Sequence, residues 1–182
     1  MATIFLVRHG RAAAAFDAHH DPGLDELGRH QAEATARYLA PLGPFSIYSS
    51  PLARARETST PLAARWGIDA VIEPRVAEIP SPMEDLAERS RWLRDAMQGR
   101  WRDLPGDLQQ WRDSLVDCLL ALREDSVVFC HFVAINVAVG AARHDDRLVC
   151  FRPDNGSVTR IANDDGRLRI IELGVEATTL VG

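Results

Sequence analysis

Met1-Ala2-Thr3-Ile4-Phe5-Leu6-Val7-Arg8-His9-Gly10 is the stretch from which the rest of the chain can be read. Four consecutive apolar residues with β-branched members, Ile4 to Val7, predict a strand covered on both faces. Arg8 and His9 then stand at its carboxyl end, the edge at which open α/β sheets bind ligands. An arginine beside a histidine there points to an anion next to a nucleophile or proton carrier. For an isolated Arg-His pair the reading as a solvated arginine and a histidine bonded to backbone would win, so the remaining chain has to decide.

A second apolar run, Ser126-Val127-Val128-Phe129-Cys130, likewise ends on a histidine, His131, and leads through Phe132 into a small, apolar helix reaching about Ala142. If both strands run parallel in one sheet, their imidazoles share an edge. Between them the chain alternates. A helix is expected from Asp25 or Glu26 to Ala40 on the stripe Leu27, Gln31, Ala34, Tyr38 and Leu39, then a short strand over Phe45, Ile47 and Tyr48. Ser49-Ser50-Pro51 reads as a helix start with serine as cap, placing Arg54 in the first turn, and Pro61 should interrupt or kink that helix before Gly67. Ala70 to Ile72 reads as a short strand, and Glu73 to Pro82 as an irregular, proline-punctuated connection. A charged helix is expected from Glu84 to about Trp101, and a clearer one on Leu108, Trp111, Leu115, Cys118, Leu119 and Leu122, all read as packing residues. Asn155-Gly156 turns into Ser157 to Asn163, and Asp165-Gly166 marks a C-terminal hairpin with Leu168 to Leu173.

With 182 residues, 46% of them hydrophobic, residues 1–182 read as a single soluble domain with an inserted subregion. The net charge of −5 argues against a dedicated nucleic-acid binder, and no run approaches the length of a membrane span or a leader. Three scattered cysteines, Cys118, Cys130 and Cys150, fit reduced residues in a cytoplasmic protein better than disulfides or metal. His19-His20-Asp21 and His144-Asp145-Asp146 carry ligand-type side chains, but adjacent ligands rarely point at one ion, and both read as polar loops.

Arg8, His9, Arg54 and His131 thus collect at strand ends and a helix start, with Glu78 as candidate acid and Glu73 and Glu84 as rivals. This set suits phosphoryl transfer without a metal. Arginine forks and a helix start bind a phosphate dianion, a neutral His9 attacks phosphorus, His131 donates to phosphoryl oxygens, and a carboxylic acid protonates the leaving alkoxide. Arg11 and Arg56 are further phosphate candidates, against which an ordinary solvated or ion-paired role has to be weighed.

These segments resemble, in order, the motifs of the histidine phosphatase superfamily, phosphoglycerate mutase-like branch. Leu6 to Gly10 is similar to its phosphohistidine motif, Asp21 to Gly28 with Gln31 to its following loop and helix, Ser49 to Thr58 to its second signature, Ala77-Glu78-Ile79 to the proton-donor segment, and Val127 to His131 to the strand bearing the second histidine. The resemblance implies a three-layer α/β/α sandwich with a mostly parallel central sheet. It also implies no metal and no cofactor, a small phosphorylated substrate as partner, and residues 80–110 as a helical insertion covering the site. The expected site is His9, Glu78, His131, Arg8 and Arg54, with Arg8, Arg54, His131 and Phe132 touching substrate. Departures are Ala12 and Ala15 where mutases carry serine and asparagine, Phe132 where glycine is usual, Pro80-Ser81-Pro82 after the acid, and Ala177 to Leu180 in place of a late histidine. They weigh against mutase activity. The expected function is a phosphatase for a small phosphomonoester; a phospholigand-binding module and a phosphohistidine-protein phosphatase are the alternatives.

Overall fold

The structure is a computed structural model, and it describes residues 1–14 and 18–178. Ala15 and, near the C-terminus, Thr179 and Leu180, which entered the comparison of motifs, lie outside the described residues. Six strands form one sheet in the order β3-β2-β4-β1-β5-β6: β1 Ala2–Arg8, β2 Ser46–Ser49, β3 Val71–Ile72, β4 Ser126–Cys130, β5 Val158–Asp164 and β6 Arg167–Glu172. β1 to β4 run parallel, while β5 and β6 are the antiparallel hairpin read from Asp165-Gly166, both of which have positive φ as a tight hairpin turn demands.

Alternation along the buried strands makes the layers. Ile4, Leu6, Val128 and Cys130 face a core completed by helices α4 Gly106–Ala121 and α5 Phe132–Arg143. Phe5, Val7, Val127 and Phe129 face the opposite core, with helices α1 Glu26–Leu39 and α2 Ala53–Trp66. The result is the expected three-layer sandwich. Helix α3, Leu86–Ala96, adds a half-exposed element from the inserted stretch, with Trp92, Leu93 and Met97 packed on the first core. No helix among the described residues is long and apolar enough to cross a membrane.

Four local expectations need correcting. α1 buries Gly28, Ala32, Thr35, Ala36 and Leu39, whereas Leu27 and Tyr38 are exposed. Apart from Leu39 that face is made of small residues, and at Gly28 the helix lies against the loop after β1, where a Cβ would stand 2.1 Å from the Arg11 carbonyl oxygen. α2 runs through Pro61 without interruption, and just before it the Ser59 and Thr60 hydroxyls donate to the Arg56 carbonyl at 2.7 and 3.1 Å. Its cap is also not a serine. Leu52 occupies that position, and Asp21 Oδ1, reaching from a distant loop, accepts the Ala53 N–H at 2.8 Å. The charged helix stops at Ala96, since Gln98 and Gly99 close the end with bonds to the Asp95 and Ala96 carbonyls; Trp101–Asp103 is a separate 3-10 turn.

Candidate active site

The parallel pairing of β1 with β4 aligns Arg8 with Cys130, so the residue after each strand end is a histidine on the same sheet edge. The His9 N–H donates to the Cys130 carbonyl at 3.1 Å, and the two imidazole centroids lie 5.2 Å apart. β2 ends alongside, where the Ser50 N–H donates to the Phe129 carbonyl at 2.9 Å. Two residues of loop then lead into α2, which carries Arg54 in its first turn. Three parallel strands therefore bring Arg8, His9, Arg54 and His131 to one place, and all four are buried.

His9 has a defined tautomer. Its Nδ1 lies 2.7 Å from the Gly10 carbonyl oxygen, a contact only a protonated nitrogen can make. Nε2 then keeps its lone pair, which accepts the Arg54 Nε–H at 3.1 Å. Burial first, and then the charges of Arg54 and Arg8, hold the His9 imidazole well below its ordinary pKa. His131 is displaced in the same direction by burial and by the surrounding His9, Arg54 and Arg8. Both rings are neutral near pH 7.

The arginines are held on their own sides of the pocket. Arg8 donates from Nη1 to the Pro153 carbonyl at 2.8 Å, and its guanidinium carbon lies 5.2 Å from the centroid of the Phe132 ring. Glu78 accepts the Ile79 N–H on Oε1 at 3.0 Å and sits in the field of Arg54, Arg8 and Arg89. Desolvation outweighs those cations and pushes the Glu78 carboxyl above its ordinary value. A carboxyl whose pKa is raised among buried guanidinia can give a proton to a leaving oxygen and later take one from water.

The family model for the histidine phosphatase superfamily (branch 1) matches residues 4–176. The chain belongs to the histidine phosphatase superfamily. Among curated relatives, the "Probable phosphoglycerate mutase GpmB" of Erwinia tasmaniensis is 27% identical, covering 88% of this chain and 85% of that protein. Its counterpart of the same name in Serratia proteamaculans is 31% identical over a match that covers 64% of this chain and 51% of its own length. A putative α-ribazole-5'-P phosphatase of Escherichia coli shares the fold with a TM-score of 0.78 at 17% identity, over 99% of this chain and 100% of that one. So does a phosphoserine phosphatase of Entamoeba histolytica, in complex with 3-phosphoglyceric acid, with a TM-score of 0.76 at 18% identity over 96% and 98% of the two chains.

The geometry brings together Arg8, His9, Arg54, His131 and Glu78. It leaves the rivals elsewhere: Glu73 pairs with Arg75 at 2.8 Å, which holds its carboxyl down at about 2, and Glu84 is exposed. Arg11 is ion-paired with Asp25, and Arg56 is exposed. Phe132, expected beside the substrate, has its ring buried against Arg8. Among the described residues no group of three or more His, Cys, Asp or Glu side chains is placed to hold a metal ion, and all three cysteines are unpaired.

Three contributors were not singled out from the sequence. Ser50 Oγ lies 2.7 Å from His131 Nε2, and Asn155 Nδ2 donates to the His9 carbonyl at 3.0 Å. Arg89, from α3, acts electrostatically on both Arg54 and Glu78. Ser50 and Asn155 had readings as cap and turn residues, which is where their local signal ends; the third comes from a helix whose placement periodicity does not convey.

Proposed function

We propose that the chain hydrolyses a small phosphomonoester, without a metal, through a phosphohistidine on His9. The observation that carries this reading is the state of His9: Nδ1 committed to the Gly10 carbonyl at 2.7 Å, Nε2 unprotonated and facing Arg54 at 3.1 Å. An incoming phosphoryl group takes over the Arg54 N–H, which releases the Nε2 lone pair for attack. The Nε2–P bond forms as the P–O bond to the leaving group breaks, and the Glu78 carboxylic proton passes to the departing oxygen. Glu78 then removes a proton from water, whose oxygen attacks phosphorus; the N–P bond breaks and inorganic phosphate leaves with His9 restored.

Arg8 and Arg54 supply the positive charge that metal ions supply in other phosphoryl-transfer sites. Ser50 Oγ accepts the Leu52 N–H at 3.2 Å and lies 2.7 Å from His131 Nε2, and in the tautomer this mechanism uses the hydroxyl donates to that nitrogen. This leaves the His131 Nδ1–H as a donor to the transferring group. Residues 80–110 cover the pocket, a reading supported by the influence of Arg89 on Arg54 and Glu78. The unpaired thiols suit a reducing cytoplasm.

A mutase reading is favoured by the relatives named as phosphoglycerate mutases and opposed by Ala12 at a position where mutases carry a hydroxyl. The test is a panel of phosphomonoesters, including the esters for which the structural neighbours are named, with and without chelator, on wild type and His9→Ala. Release of inorganic phosphate unaffected by chelator, together with acid-labile labelling lost in His9→Ala, is the expected result. Labelling that persists in that variant overturns it. Isomerised phosphoglycerate in place of inorganic phosphate identifies a mutase, and tight phosphate binding with no turnover of any ester identifies a binding module.

A further inference from the structure

We propose that Phe132 is a positioning residue whose ring face holds the Arg8 guanidinium in the orientation that receives the phosphoryl group. The proposal rests on the phosphoryl-transfer reading of the site. The Arg8 guanidinium carbon stands 5.2 Å from the Phe132 centroid, inside the distance of about 6 Å at which a ring quadrupole attracts a cation. Both partners are buried, Arg8 at 8% exposure and Phe132 at 4%, so little water screens the attraction.

Glu78 and Asp154 attract the Arg8 guanidinium by charge, but its hydrogen bonds are few. Nη1 donates to the Pro153 carbonyl at 2.8 Å, and Nε has no hydrogen-bond partner among the described residues. One carbonyl fixes a point of the fork but leaves the plane free to turn about it. The ring fixes that plane. Phe132 is also the first residue of α5, directly after His131, so one backbone turn sets the second histidine and the platform under the first arginine. A glycine at this position would leave the guanidinium face open. Phe132 therefore acts through Arg8 rather than on the substrate.

The test replaces Phe132 with 4-fluoro-, 3,5-difluoro- and 3,4,5-trifluorophenylalanine, which drain electron density from the ring face at nearly constant size. Binding of inorganic phosphate is measured by calorimetry and ester hydrolysis by phosphate release, with melting midpoints as a check on packing. Phosphate affinity and kcat/KM should fall stepwise with fluorine number, reaching about tenfold in the trifluoro protein, while the midpoints stay level. Phe132→Leu, which keeps apolar volume without a π face, should show a loss of about the same size. Affinity that stays flat along the series overturns the proposal and leaves the reading of the site standing. Wild-type protein that binds no phosphate overturns both.

Discussion

Burial acts on His9 and Glu78 in opposite chemical senses, lowering the pKa of the base and raising that of the acid. The proposed mechanism requires an unprotonated His9 and a protonated Glu78, so the pH profile should be bell-shaped. Its acid limb lies well below the ordinary histidine pKa of 6.5, where His9 at last takes a proton, and its alkaline limb lies above the ordinary glutamate value of 4.5, where Glu78 loses one. Glu78→Gln should erase the alkaline limb and slow phosphoryl transfer to His9 by roughly 10²- to 10⁴-fold for alkyl esters, with a much smaller loss in that step for nitrophenyl phosphate, whose leaving group needs no proton. The water step, which also uses Glu78, slows for both. Single-turnover phosphorylation rates on the two ester types check this. The four strand-end and helix-start residues were legible in the sequence because their positions follow from where elements stop. The orientation of the Phe132 ring was not, since it depends on a partner 124 positions away in sequence, Arg8.

At the scale of elements, the loop after β1 is the most constrained join. A Cβ on Gly28 would meet the Arg11 carbonyl oxygen at 2.1 Å, and one on Gly10 would meet the Gly28 oxygen at 2.4 Å. Gly28→Ala must therefore displace backbone two residues from His9, and hydrolysis should fall at least tenfold even where the variant remains folded by circular dichroism. Asp21 presents a separate test. Because it caps α2 from a distant loop, Asp21→Ala should lower unfolding free energy by about 1 kcal/mol in urea titrations, and Asp21→Asn, which keeps an acceptor, by much less. The existence and type of the main elements were readable from hydrophobic runs and breakers. The face of α1 was not, because a search for large apolar residues picks Leu27 and Tyr38, while close approach selects glycine and alanine. The Asp21 cap is likewise a contact across 32 positions that local signals at Ser49-Ser50 could not anticipate.

For the whole molecule, His9 and His131 bind protons in the unfolded chain more readily than in the folded one. Between the ordinary value of 6.5 and their lowered folded values, the unfolded state holds more protons, so stability should drop as the solution is acidified through that window. Glu78 has the reverse sign, contributing stability below 4.5 that is lost as pH rises through its elevated folded pKa. Two imidazoles outnumber one carboxyl. Melting midpoints should therefore fall from neutral pH toward pH 5, and His131→Asn should flatten the slope.

The in-register pairing of Arg8 with Cys130 has a consequence for how errors are tolerated. Slippage of β1 by one residue against β4 would carry His9 out of line with His131 and exchange Ile4 and Leu6 with Phe5 and Val7 between the two cores. A chain that mispairs at its first strand thus fails to pack in the same motion by which it fails to assemble the centre. Folding fidelity and chemical competence are guarded by a single alignment, and a folded but misaligned population has no stable place to accumulate.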